Sequence, residues 1–203
     1  MLNNKEENLE WEEVKVEHLV KDEYIDFKKS DFKSPSGEIF GPYYTYSRKD
    51  YVVIVAVDED GRYICVRQFR QGLKKVTTEF CAGGIERFDN KEYRDDGNLS
   101  DRDNTALSEP PLEAAIRELR EETGYVSDDW KHLLTIPSNA TVSDNFAHVF
   151  FAKNCKKVSD QELDDTEFLN VVLIEKNELE DMIKNLEFEQ AVHVMAYLLS
   201  ERA

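Results

Sequence analysis

Three carboxylates stand at i, i+3 and i+4 in the run Arg117-Glu118-Leu119-Arg120-Glu121-Glu122-Thr123-Gly124, and a glycine closes it. At about 100° of turn per residue, Glu118, Glu121 and Glu122 fall within one helical arc of roughly 100°. Like charges at these spacings repel by a few tenths of a kcal/mol per pair. A helix face built for stability alone interleaves lysines there, so the cluster points to a cation that neutralises it. A hard divalent ion held by oxygen ligands fits, and Mg²⁺ is its usual identity beside a phosphate ester. The plainer reading is a solvated acidic face, which accounts for most isolated Glu-Glu pairs. Here the pair belongs to a longer pattern. Glu109 precedes Arg117 by eight positions, and Gly83-Gly84-Ile85-Glu86 follows a strand-like run ending in Phe80-Cys81-Ala82.

The surrounding elements must hold these groups in place. Helical character begins near Pro110-Pro111, which a first turn tolerates, with Ser108 or Glu109 at its N-terminus. Leu112, Ile116 and Leu119 make the expected buried stripe, with the glutamates turned towards a cleft, and Gly124 ends the helix. Val14–Val20, Tyr24–Phe32 and Ile39–Tyr46 read as a small antiparallel sheet ahead of the main domain. Tyr51–Val57 and Arg62–Phe69 read as a hairpin, and the unbroken apolar run Val52–Val57 suits a strand buried on both faces. His132–Pro137, Ala147–Ala152 and Phe168–Ile174 supply further strands. A helix over Glu178–Lys184 is expected with Asn177 as its cap, and a last helix over Glu189–Glu201 with Val192, Met195, Leu198 and Leu199 inward. The segment 87–108 holds ten charged residues in 22 and reads as a solvated excursion. The expected division is a β-sheet segment over 1–48, suited to dimerisation, and a main domain over 49–203 carrying that insertion.

Composition narrows the partners. With 203 residues and 40% hydrophobic content the chain can bury a sizeable core. A net charge of −17 argues against nucleic acid and anionic membrane as partners. An acidic protein acting on an anionic substrate needs metal and a few local arginines to reverse the field. Cys65, Cys81 and Cys155 are odd in number and form no metal or redox motif, which suits a reducing cytoplasm. The histidines 18, 132, 148 and 193 are scattered and read as structural or surface groups. The acidic start, Met1–Glu13, reads as neither a signal nor a transit peptide.

The run from Glu109 to Gly124 resembles the Nudix hydrolase signature: a glycine, five residues, Glu, seven residues, then Arg-Glu-aliphatic-x-Glu-Glu-x-Gly-aliphatic. The second half matches at every specified position but the last, where Tyr125 stands for an aliphatic residue. The first half matches only with an insertion, since 25 residues separate Gly83 from Glu109 where the family has five. The resemblance covers roughly Tyr51–Ala203 and implies an α/β (α+β) Nudix fold, a mixed β-sheet sandwiched between helices. It implies that Glu118, Glu121, Glu122 and the carbonyl of Ala82 bind Mg²⁺, with Mn²⁺ as the other option, and that Arg117 orients the glutamates. Glu109 would support the loop or Arg117.

Arg67-Gln68-Phe69-Arg70 and Thr78-Glu79-Phe80-Cys81-Ala82-Gly83 are similar to motifs of the ADP-ribose pyrophosphatase subgroup. That similarity implies a diphosphate contact from Arg70, with Arg67 and Glu86 nearby. It also implies a homodimer in which aromatics of the leading sheet, Tyr44 among them, stack on adenine. Two departures loosen the substrate reading. Cys81 replaces the usual proline, and Asn139 stands near the place of a second proline expected beyond the box. The water-activating base is expected from Asp164-Asp165-Thr166-Glu167, with Glu167 and Asp165 foremost and Glu121 as the family's other option.

The leading reading is thus a divalent-metal-dependent pyrophosphohydrolase of ADP-ribose or a related nucleoside diphosphate sugar. Hydrolysis of nucleoside triphosphates or dinucleotide polyphosphates is the alternative within the class. A catalytically silent, nucleotide-sensing module is the alternative outside it.

Overall fold

Val52, Val53, Ile54, Val55 and Ala56 have no exposed surface, because their strand is covered on both faces. The computed structural model describes residues 8–86 and 108–203. The expected excursion 87–108 lies outside the described residues except for Ser108.

The described chain forms two units. One takes residues 8–49 and 137–145. Its strands β1 (Glu12–Lys21), β2 (Asp26–Lys33) and β3 (Ile39–Ser47) form an antiparallel sheet in the order β1-β2-β3. Gly37, at φ 91°, makes the turn before β3 in a region that favours glycine. Residues 137–145 close on β3 through Tyr46 N–H to Val142 O at 2.8 Å and Ser47 Oγ to Asp144 Oδ2 at 2.6 Å. Trp11 lies against Phe40 with ring centroids 5.4 Å apart, and Phe27 stacks on Tyr44 at 6.0 Å. Trp11, Tyr43 and Tyr44 remain about half exposed within the chain.

The other unit holds β4 (Tyr51–Asp58), β5 (Tyr63–Arg70), β6 (Lys75–Gly84), α1 (Pro111–Thr123), β7 (Tyr125–Val126), most of β8 (Asp129–Pro137), β9 (Phe146–Lys157), β10 (Leu169–Ile174), α2 (Lys176–Lys184) and α3 (Ala191–Ser200). Its sheet runs β10-β5-β6-β4-β9-β7, with β8 on β9. The expected β4–β5 hairpin is short, since only Ala56↔Ile64 and Val57↔Tyr63 pair. Beyond them β6 enters between the two strands, pairing Cys65–Arg70 on one side and Tyr51–Ile54 on the other. β4 pairs β9 in parallel, so the sheet is mixed.

Period-two alternation sorts the core. Val52, Ile54 and Ala56 pack with Ala114, Ala115 and Leu119 of α1, while Val53 and Val55 pack with Leu179 of α2 and Ala196 and Tyr197 of α3. This is the expected sheet between helices.

Both helix stripes match expectation only in part, with Leu119 fully buried and Val192 and Met195 packed against the core. In α1, Leu112 and Ile116 are exposed, and the buried face is Ala114, Ala115, Glu118, Leu119, Glu122 and Thr123. In α3 it is His193, Ala196, Tyr197 and Ser200, while Leu198 is exposed. Apolar spacing alone placed Leu112, Ile116 and Leu198 inward, where the structure leaves them exposed. Close approach of helix to sheet instead selected small residues, together with polar groups that find partners. α2 begins at Lys176 with Glu175 at the cap position and no side-chain cap bond, so Asn177 lies inside the helix rather than before it.

Candidate active site

β6 and α1 bring the glutamates to the sheet. Val52 of β4 pairs with Gly83 of β6, and Gly83 carries no side chain at the place where Glu118 lies. A Cβ there would stand 1.9 Å from Glu118 Cδ, so the absent methyl makes a cradle for that carboxylate. Glu122, one turn on, accepts the Ala82 N–H at 3.3 Å. Gly124 ends the helix at φ 73°, sending its N–H to Arg120 O at 2.8 Å.

Arg117 gathers the remaining groups. Its Nη1 donates to Glu118 Oε1 at 2.9 Å and to Glu121 Oε2 at 3.0 Å. Its Nε and Nη2 each reach Glu109 at 2.9 Å, a bidentate pair, and Nη2 also reaches Gly84 O at 3.2 Å. The Arg117 fork holds the Glu109 carboxyl below the usual carboxylate range, against the effect of burial. Burial acts the other way on the two inner glutamates, raising Glu118 to about 7 and Glu122 to about 8. Arg117 eases the first, and the Cys81 thiol and the Ala82 N–H ease the second. Two buried carboxylates side by side are short of positive charge.

A divalent ion would supply that charge. Glu118, Glu121, Glu122 and the Ala82 carbonyl are hard oxygen donors of the kind Mg²⁺ or Mn²⁺ takes. Arg117 currently engages Glu118 and Glu121, and among the described residues no three acidic, His or Cys side chains already converge as a ligand set. The donor chemistry and the Gly83 cradle fit the ion.

The other expected site residues separate. Arg70, at the end of β5, donates from Nε to Glu79 Oε1 at 2.7 Å. Gln68, Arg70, Glu79 and Cys81 share the strand face that α1 covers, since Cys81 and Ile64 belong to the core beneath that helix. Arg67 points the other way, into a groove lined by Thr78, Val172 and Met182 below α2, so the expected substrate contact from Arg67 has no support in its direction. The backbone of Glu86 is joined to Glu109, while its side chain is exposed. Tyr44 lies in the other unit, stacked on Phe27.

In the acidic turn before β10, Glu167 and Asp165 also differ. Glu167 accepts the Asp164 N–H at 3.1 Å and is near enough for its charge to raise Glu118 and Glu122, whereas Asp165 is exposed. Glu79 is a site group that the sequence reading does not single out. Its signal was an acid inside the otherwise apolar end of β6.

His193 is a satisfied core histidine, its Nδ1 accepting the Phe80 N–H at 3.1 Å. Burial, with Arg70 second, lowers its pKa to about 3.

The NUDIX domain matches residues 47–197, three quarters of the chain, and the match spans the Arg117 cluster. The chain belongs to the Nudix family. Its resemblance to those hydrolases is therefore real over the whole region that carries the box. Nudix hydrolases generally need a divalent metal, in keeping with the donor set here. The chain is 27% identical to an ADP-ribose pyrophosphatase of Bacillus subtilis over 181 residues, 89% of this chain and 85% of that protein. It is 23% identical to a methanol dehydrogenase activator of Bacillus methanolicus over 190 residues, 90% of this chain and 88% of that one. A solved structure described as an ADP compounds hydrolase shares the fold with a TM-score of 0.73, at 20% identity, over 97% of this chain and 95% of that one. Among the described residues no helix is long and apolar enough to cross a membrane.

Proposed function

We propose that this Nudix protein hydrolyses the diphosphate of ADP-ribose or a closely related nucleoside diphosphate sugar, with Mg²⁺ as its working metal and Mn²⁺ able to replace it. The carrying observation is that Arg117 holds Glu118 and Glu121 while Glu122 accepts the Ala82 N–H of β6, the strand whose Glu79 holds Arg70. Similarity to an ADP-ribose pyrophosphatase over most of both chains supports the substrate class.

When bound, the metal neutralises phosphoryl oxygens and lowers the pKa of water. Glu118, Glu121, Glu122 and the Ala82 carbonyl would hold it, and Arg117 orients Glu118 and Glu121 through charge-assisted hydrogen bonds. Arg70 takes a phosphate oxygen. Glu167 accepts the proton of the attacking water, its position near Glu118 and Glu122 favouring it over Asp165, with Glu121 the remaining candidate. The protein works in the cytoplasm as a homodimer. Exposed aromatics of the three-stranded sheet, Tyr44 included, serve as the adenine-stacking surface. The β1 edge of the small sheet favours pairing with another copy.

Chromatographic product analysis over ADP-ribose (which yields AMP and ribose 5-phosphate), other diphosphate sugars, triphosphates and dinucleotide polyphosphates, with Mg²⁺, Mn²⁺ or EDTA, tests this reading. ADP-ribose or a near relative should give the highest kcat/KM, lost in EDTA. A preference for triphosphates overturns the substrate class. Turnover of none of these substrates would overturn the enzymatic reading in favour of the nucleotide-sensing module.

A further inference from the structure

We infer that Glu79 is a positioning residue for the diphosphate: it grips Arg70 through Nε alone, which leaves both terminal nitrogens of the guanidinium for phosphate oxygens. This rests on the proposed role of Arg70.

Glu79 is entirely buried, while the Arg70 side chain keeps about a third of its surface exposed. The pair therefore has an inner anion and an outer cation. The bond runs from Nε to Glu79 Oε1 at 2.7 Å, and among the described residues Nη1 and Nη2 have no other acceptor within hydrogen-bond distance. Guanidinium donors lie in a fixed planar fork. Fixing Nε thus fixes where the two Nη groups point, before any anion arrives. A side chain with this many rotamers otherwise loses freedom when it binds. The two residues share the sheet face that α1 covers, which is also the face of the glutamates.

As a device for holding β5 to β6 the pair is a poor choice. Glu79 Oε2 is buried and has no hydrogen-bond partner among the described residues. Burial raises the pKa of this carboxyl, with Arg70, Gln68 and Thr77 opposing the rise. A well-packed apolar pair does the fold-holding work as well or better. An Arg70 directed outward is what the desolvated carboxylate obtains in return.

The experiment compares Arg70→Ala, Glu79→Leu, Glu79→Gln and the Arg70→Ala/Glu79→Leu double variant, in Mg²⁺, on whichever diphosphate-linked nucleotide the wild-type protein turns over best. If the wild type turns over none, the functional reading falls before this one is reached. Otherwise Arg70→Ala and Glu79→Leu should each raise KM about tenfold or more with kcat changed under threefold. The double variant should be no worse in KM than either single one. Its melting temperature should exceed that of Arg70→Ala, which leaves a buried carboxylate without its cation. Glu79→Gln keeps an acceptor for Nε and should hold KM within about threefold of wild type. Wild-type KM in Glu79→Leu, or KM losses that multiply in the double variant, would overturn the inference. If Glu79→Leu does not fold, Glu79→Asp is measured: it keeps the charge but draws Arg70 inward. A KM rise at unchanged melting temperature then supports the inference, and unchanged KM overturns it.

Discussion

Glu109 and Glu86 are joined twice: the Glu109 N–H donates to Glu86 O at 2.9 Å, and the Glu109 carboxylate accepts the Glu86 N–H at 3.3 Å. The two ends of the inserted segment are thus held together at its base. The same carboxylate takes the Arg117 fork, so the clamp and the glutamate cluster share one residue.

From that clamp we expect that replacing Asn90–Ala106 with a short Gly-Ser linker leaves kcat and KM within about twofold of wild type. Loop-closure entropy grows only logarithmically, so the segment's length changes stability by roughly 1–2 kcal/mol. Steady-state kinetics on the shortened protein checks this. A selective rise in KM would instead mark the segment as a lid over the substrate.

Gly83→Ala should abolish most activity while leaving the sheet intact. Its Cβ would meet Glu118 Cδ at 1.9 Å and both carboxylate oxygens near 2.1 Å, so Glu118 must leave its cradle. We expect kcat to fall by about a hundredfold, the scale of losing one charged group from a metal site. Circular dichroism should stay near wild type. Activity within fivefold of wild type would mean that Glu118 is not needed where it lies.

Metal-free protein should lose stability as pH rises from about 5 to 8. Glu118 and Glu122, raised to about 7 and about 8, keep their protons in the folded chain over a range where the unfolded chain has released them. Their stabilising contribution is full below the unfolded pKa near 4.3 and fades as pH climbs through the folded values. Each group contributes at most about 1.4 kcal/mol per pH unit. Melting curves in EDTA should therefore fall towards pH 8 more steeply for wild type than for Glu118→Gln/Glu122→Gln. Adding Mg²⁺ should raise wild type most at the alkaline end. Parallel pH profiles for the two proteins would refute this.

Gly124→Ala should be strongly destabilising, by about 2–4 kcal/mol. The residue sits at φ 73°, and an added Cβ would stand 2.1 Å from the Ser159 carbonyl oxygen. Backbone strain and collision add together here. A melting temperature within about 2 °C of wild type would show that the chain after β9 can move aside.

The sequence by itself determined the chemistry and the central architecture. Glu118, Glu121, Glu122 and Arg117 are close in the chain, so helical geometry alone brings them together. The run Val52–Val57 carries its own statement of two-sided burial, while the sheet-between-helices expectation came from the resemblance of the Glu109–Gly124 run to the Nudix signature. What local pattern could not supply was direction. Arg67 and Arg70 look alike in Arg67-Gln68-Phe69-Arg70, yet an odd separation along a strand sends one below α2 and the other towards the α1 face. Leu112 and Ile116 looked like part of the buried stripe of α1, but the face that meets the sheet is Ala114, Ala115 and Leu119, and Leu112 and Ile116 stay exposed. Glu79 and Arg70 are nine positions apart, and only the pairing of β5 with β6 makes them partners. Spacing within one element is written in the chain, whereas contacts between strands depend on register, which the whole sheet decides.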